Sequence, residues 1–157
     1  MVTTNWGAHP GYVRFECPAC TGNTVVKTDG EESLLVNTIG AYKGTKWINI
    51  KDGSSTRTLT VKATGRWTLT ISDADKLPKY DAAAASGAGD SVVVFHGAAS
   101  KAKITNSGTG NFVVQVVSNS GMDLAVNDIG NYDGTVPLTG PAIVQVTSDG
   151  KWTIAPS

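Results

Sequence analysis

The chain has 157 residues, of which 40% are apolar and only 17% charged, and its 13 basic and 13 acidic side chains balance to a net charge of zero. That length holds one ordinary domain or two small ones, and the even balance excludes both a basic field for nucleic acid and an acidic tail. No apolar run approaches the roughly 18 residues that span a bilayer, and Met1 to Pro10 lacks a basic stretch followed by an apolar one, so it does not read as a signal peptide.

Alternation of apolar and polar residues marks short strands along the chain. Val2 to Trp6 is the one candidate for an opening strand, and Val13, Phe15 and Cys17 then alternate with Arg14 and Glu16. Further on, Leu59 and Val61 alternate with threonines and Lys62, and Trp67, Leu69 and Ile71 with Thr68 and Thr70. Asp73 to Gly89 is rich in Pro, Ala and Gly and reads as a linker, within which Asp81 to Ser86 could form one helical turn. Beyond it come Ala102 and Ile104, then Phe112, Val114 and Val116, then Val144 and Val146, and last Trp152 and Ile154, all in the same rhythm. Asp29-Gly30, Asp52-Gly53, Ser120-Gly121 and Asp149-Gly150 separate the runs as turns.

Three blocks occur twice in the same order. VNTIGAYKGT from Val36 matches VNDIGNYDGT from Val126, Thr21-Gly22-Asn23 matches Thr109-Gly110-Asn111, and Gly65-Arg66-Trp67-Thr68-Leu69 matches Gly150-Lys151-Trp152-Thr153-Ile154. The length changes between blocks fall where loops belong. The reading is an internal duplication: an all-β chain of two tandem immunoglobulin-like small β-sandwich domains, 1–72 and 90–157, joined by a linker at 73–89.

The pattern L-x-V-N-x-I-G-x-Y-x-G-T followed by G-x-W-T-I, with a G-x-G-D-x-V strand at Gly87 to Val92, resembles a small β-sandwich repeat of actinobacterial secreted and surface proteins and of their phages. The resemblance implies a sandwich fold and an extracytoplasmic setting, and no defined activity.

Repeat equivalence suggests which residues are structural. Trp67 and Trp152, Tyr42 and Tyr132, and Ile39 and Ile129 are expected in the core, because packing is what two copies share. Gly40, Gly44, Gly130 and Gly134 are expected at turns. Trp6, Trp47 and Tyr80 have no equivalents and are the candidates for a contact surface. Cys17-Pro18-Ala19-Cys20 could be half a zinc site, a redox pair, or a disulfide or two free thiols at a hairpin tip. Zinc needs two more ligands and thiol redox chemistry needs a helix start, which favours the plain clip. Asp123, Asp128, Asp133 and Asp149 form no tight calcium loop and read as turn acids. No nucleophile elbow, phosphate loop or H-E-x-x-H run is present.

The expectation is therefore a non-catalytic structural or interaction protein without cofactor or metal. Its partners would be protein neighbours in an assembly, itself included, with no nucleic acid and no membrane insertion. A virion surface of an actinobacterial phage, as a capsid-decorating or tail-associated part, is the first setting. The alternative is a secreted or cell-surface module binding glycans or the cell envelope. The working surface is expected at an edge or loop face, since a sandwich this small has little interior for a pocket.

Overall fold

The computed structural model describes residues 1–81 and 83–157. Antiparallel strands dominate, and the described residues hold a single 3-10 turn, Ala74–Lys76, and no α-helix. Among the described residues no helix is long and apolar enough to cross a membrane. The chain divides into two compact units, Met1–Lys76 and Leu77–Ser157.

The first unit contains β1 (Val2–Gly7), β2 (Gly11–Cys17), β3 (Asn23–Thr28), β4 (Leu34–Ile39), β5 (Tyr42–Ile48), β6 (Thr56–Lys62) and β7 (Thr68–Asp73). They form two sheets, β1-β6-β3-β4 and β5-β2-β7. In β2 the alternation places Val13, Phe15 and Cys17 inward. They join Val26, Leu35, Val36 and Leu59 of the facing sheet, and Ile48, in one buried cluster. Apolar burial from both sheets into one cluster is what holds a sandwich closed.

The winding differs from the immunoglobulin expectation. An immunoglobulin sandwich sets its first, second, fifth and fourth strands against its third, sixth and seventh. Here β1 pairs with β6, β2 with β5 and β3 with β4, all antiparallel. These nested pairings describe one long hairpin rolled up, the winding of a jelly roll, with β7 added beside β2.

The second unit contains β8 (Lys79–Tyr80), β9 (Ala85–Ala88), β10 (Ser91–Ser118), β11 (Gly121–Thr147) and β12 (Lys151–Pro156). β10 and β11 run on through bends where the first unit has loops, and their register breaks between Phe95 and Ala99 and between Ser107 and Asn111. Such irregularities let one strand turn a corner into the facing layer. Every pairing of the first unit recurs. Residues 91–95 pair with 142–146, 101–107 with 131–137, 111–118 with 121–129, and 113–118 with 142–147, while 102–106 also pair with β12. Residue by residue, Phe15 opposes Gly44 and Leu69 as Ile104 opposes Gly134 and Ile154. The core gathers Phe95, Ala102, Ile104, Phe112, Val114, Val144, Val146, Trp152 and Ile154.

Much of the stretch expected as a linker at 73–89 lies instead in folded elements. β8 pairs parallel with Val94 and Phe95, and β9 pairs antiparallel with β12. The G-x-G-D-x-V stretch is accordingly two strands, parted by a turn at Gly89, whose φ is 70°. The helical turn expected over Asp81 to Ser86 includes Ala82, outside the described residues; Ala85 and Ser86 lie in β9. Low-propensity Ala, Ser and Gly form a strand here because β12 supplies the pairing.

β9 also explains why the two equivalent tryptophans part company. Trp152 is 2% exposed and Trp67 37% exposed, so the core expectation for Trp67 is corrected. The glycine at 87 lies on the Trp152 ring, where a Cβ would collide with it, and the indole Nε1 donates to Gly89 O at 3.0 Å. Among the described residues β7 has only β2 paired beside it, and Trp67 rests on Phe15 at 5.9 Å between ring centres. Tyr42 and Tyr132 are half-buried, packed on Phe15 and Phe112 at 6.1 and 5.6 Å.

The four repeated glycines also divide. Gly40 and Gly130 have φ of 91° and 85°, which favours glycine at both corners. Gly44 and Gly134 are strand residues within β5 and β11, not turn positions. At Gly134 a Cβ would meet the Tyr132 ring, which lies across its own strand two residues on. The Y-x-G spacing thus leaves room for the ring, since residues i and i+2 share a face.

Candidate functional site

Ile39 and Ile129, expected in the core, are instead 81% and 72% exposed. With Val36 pointing inward, alternation along β4 turns Ile39 out. Leu34 joins it through a bulge. Val26 pairs with Val36 and Lys27 with Leu34, so Leu35 is the extra residue, and Leu35 and Val36 are both buried. The bulge shifts the phase and sends Leu34 outward, to 52% exposure. The second unit repeats the device: Val114 pairs with Val126 and Gln115 with Leu124, Ala125 is skipped, and Leu124 is also 52% exposed.

An outer face results that both units share. In the first unit it holds a half-open groove of about 430 Å³ lined by Asn23, Val25, Lys27, Leu34, Asn37, Thr60 and Lys62. Its Asn23, Val25 and Leu34 oppose Ile39, Asn37 and Lys27 in register. In the second unit Asn111 opposes Ile129, Val113 opposes Asn127 and Leu124 opposes Gln115. The shared part is thus Asn, Val, Leu, Asn and Ile. The unshared part differs in charge: Lys27 and Thr60 oppose each other in one unit, where the other has Gln115 and Gln145 joined by a 3.0 Å amide hydrogen bond. The groove is bounded by the outside of a sheet, consistent with a fold that has little interior to hollow out. Its lining contains no aromatic ring.

The aromatic residues expected to form a contact surface lie elsewhere. Trp47 is 2% exposed, a correction to the surface reading. Trp6 is half-buried against the first unit's core, its Nε1 donating to His9 O at 2.8 Å. Tyr80 is half-buried against Phe95 at 5.8 Å. None of the three belongs to the repeated face. The signal for that face was in the sequence as the recurring Leu, Asn and Ile, since equivalence in two copies marks shared function as readily as shared packing.

Cys17 and Cys20 are joined in a disulfide and both are buried. Their sulfurs are used by this bond. At the matching corner of the second unit Asn106 does the joining, its Nδ2 donating to Gly130 O at 2.7 Å and its Oδ1 accepting from Ser148 Oγ at 2.7 Å.

The aspartates are each engaged separately. Asp123 and Asp128 accept from the next residue's N–H, and Asp133 pairs with Lys103. Among the described residues no three His, Cys, Asp or Glu side chains gather closely enough to hold a metal ion. Asp149 accepts from the N–H and hydroxyl of Thr109 and from Gly110 N–H, all at 2.9 Å. Thr64 caps the same turn in the first unit, accepting from Thr21 and Gly22 N–H at 3.0 Å.

The Thr109 hydroxyl above all, with the Thr109 and Gly110 amides, holds the Asp149 carboxyl below its ordinary range, against a smaller opposing effect of burial. A depressed folded-state value contributes stability that is complete above the ordinary aspartate value of about 4 and is lost as pH falls through the lower folded value. The second unit should therefore lose stability below about pH 4, and Asp149→Asn should flatten that acid limb. Denaturant midpoints of the second unit from pH 7 to pH 2 measure it; identical acid limbs in both proteins would show that the cap contributes nothing.

No model of a known protein family matches this chain, and no curated protein matches it in sequence.

Proposed function

We propose that this chain is a non-catalytic interaction protein of duplicated origin, which grips neighbouring protein surfaces in an assembly through the outer face presented by both units. The observation that carries the reading is the recurrence of outward Leu and Ile, with the same Asn and Val, at matched register in the two units. Keeping large apolar side chains in water twice over is favourable for the monomer in neither place, and burying each against a partner stabilises the complex by about 1.5–3 kcal/mol. Two like patches on one chain make the second contact intramolecular, so modest patches add up to firm attachment.

The setting we propose is a virion surface of an actinobacterial phage, the one implied by the sequence resemblance and compatible with a winding that capsid proteins and lectins also use. The groove lining supports protein rather than sugar as the ligand, because sugar rings stack on flat aromatics and this lining has none.

The test pairs Leu34→Asp/Ile39→Asp in the first unit and Leu124→Asp/Ile129→Asp in the second, read by light scattering and co-sedimentation with phage shells. Either pair alone should weaken attachment by about 100-fold or more, and all four together should abolish it. Attachment unchanged in the fourfold variant would remove the face from the interface. A strict monomer that ignores protein surfaces and binds a polysaccharide at micromolar affinity would replace this reading with a glycan- or envelope-binding module.

A further inference from the structure

We propose that the outer edge of β7, in the first unit, accepts an extended Gly/Ala/Ser strand donated by a partner protein chain. This surface is separate from the repeated outer face and stands independently of the function proposed above. The second unit displays what covers such an edge. There β12 holds the place of β7, and β9 lies along it antiparallel, with Ala88, Gly87, Ser86 and Ala85 opposite Lys151, Trp152, Thr153 and Ile154. Gly89 N donates to Gly150 O at 2.9 Å and Trp152 Nε1 donates to Gly89 O at 3.0 Å, which finishes the cover over the indole.

The edge in the first unit is prepared in the same way. Thr68 and Leu69 stand where Thr153 and Ile154 stand, fixed by the common register against β2 and 102–106 of β10, and Arg66 and Trp67, which lead into β7, match Lys151 and Trp152 in the repeat. Among the described residues no strand pairs with the far side of β7, and Trp67 is 37% exposed. An open edge is usually blunted by proline, by lysine or by a bulge. The run Thr68 to Ser72 has no proline and no charge, and its pairing with β2 runs without a register break.

The geometry specifies the donor. It runs antiparallel to β7, with glycine facing Trp67 because a Cβ there would strike the ring, as at Gly87. Its flanking residues are small, and the carbonyl two residues beyond the glycine receives the Trp67 indole N–H. Strand addition of this kind draws its affinity from backbone pairing and its selectivity from the side-chain sites. A second copy is a poor source, because its own Ala85–Ala88 is already paired with its own β12.

Two experiments test the edge together, on the whole chain. In the first, a synthetic peptide of residues 85–92 is added at about 1 mM, the range in which short unconstrained strands bind. Trp67 emission, isolated by difference from Trp67→Phe, should shift to the blue and its acrylamide quenching should fall several-fold. The same peptide with Gly87→Leu should do neither. In the second, residues 85–92 are joined directly ahead of Val2, the spacing that β9 keeps from Val93 in the second unit. That graft should cover Trp67, raise the first unit's unfolding midpoint, and abolish the response to free peptide. No change with either peptide or graft overturns the proposal. So does a graft that covers Trp67 while free peptide does nothing, since a partner could not then donate the strand. Equal binding of the leucine peptide, or covering of Trp67 by dimerisation alone, overturns the assigned donor.

Discussion

Trp152→Ala should destabilise the second unit by about 3–5 kcal/mol, and Trp67→Ala should cost the first unit only about 1 kcal/mol. The two residues occupy one position of the repeat, so propensity, neighbouring sequence and register are nearly held constant between them. What differs is the cover. Trp152 is enclosed by Gly87 on its face, by the Gly89 carbonyl at its Nε1, and by Ile104, Phe112 and Ile154 in the surrounding core. Removing it leaves a large cavity and an unmatched carbonyl, and β9 loses the surface on which it rests. Trp67 is 37% exposed and rests on Phe15 without such a cover, so its removal takes away less enclosed packing. Denaturant unfolding with the two transitions fitted separately makes the comparison, because a two-unit chain need not unfold in one step. Equal losses in the two variants would mean that β9 gives Trp152 no protection.

Asn49→Ala should cost the first unit on the order of 4 kcal/mol, a large effect for a polar residue outside any strand. Asn49 is 2% exposed and sits in the left-handed region at φ 56°. Its Nδ2 donates to Gly7 O at 2.7 Å and to His9 O at 3.1 Å, which ties the end of β1 to the end of β5. Its Oδ1 accepts from Ser54 Oγ at 3.1 Å and Thr56 Oγ1 at 2.9 Å, and its own N–H donates to Glu32 at 3.0 Å. Deleting the amide takes its bonds from Gly7 O and Thr56 Oγ1, while His9 O keeps Trp6 Nε1 and Ser54 Oγ keeps Glu32, at about 1–3 kcal/mol for each group that finds no other partner. Asparagine tolerates the left-handed region better than alanine, and glycine has no Cβ to strain there, so alanine costs about 1 kcal/mol more than glycine at this angle. Asn49→Gly should therefore fall about 1 kcal/mol short of Asn49→Ala. If the glycine variant melts like the wild type, the hydrogen bonds carry no net stability and only the backbone angle matters.

Asn49 was not legible in the sequence because nothing local distinguishes a buried amide hub from a loop asparagine, and its partners come from β1, β6 and three loops. The repeated outer face was half legible. The alternation that turns Val36 inward turns Ile39 outward, and that rule was available; the assumption that repeated apolar residues must be core concealed it. Leu34 was beyond reach, because the bulge at Leu35 reverses the phase and a bulge depends on the facing strand.

Local rules, read along the chain, determined that this protein is all-β, where most strands run, that two stretches repeat, that Gly40 and Gly130 turn corners, and that Cys17 and Cys20 can clip a hairpin tip. Those properties depend on neighbours a few residues away: alternation, turn chemistry and short covalent reach. Tertiary structure alone decided the rolled-hairpin strand order, the outward Leu34 and Leu124, the burial of Trp47, and the parting of Trp152 from Trp67. Each of these depends on pairing between segments far apart in sequence, where the two copies of a motif carry the same letters but meet different neighbours. The fate of one tryptophan turns on four residues, Ala85 to Ala88, whose own propensity for a strand is poor and whose place is set by the strand they cover.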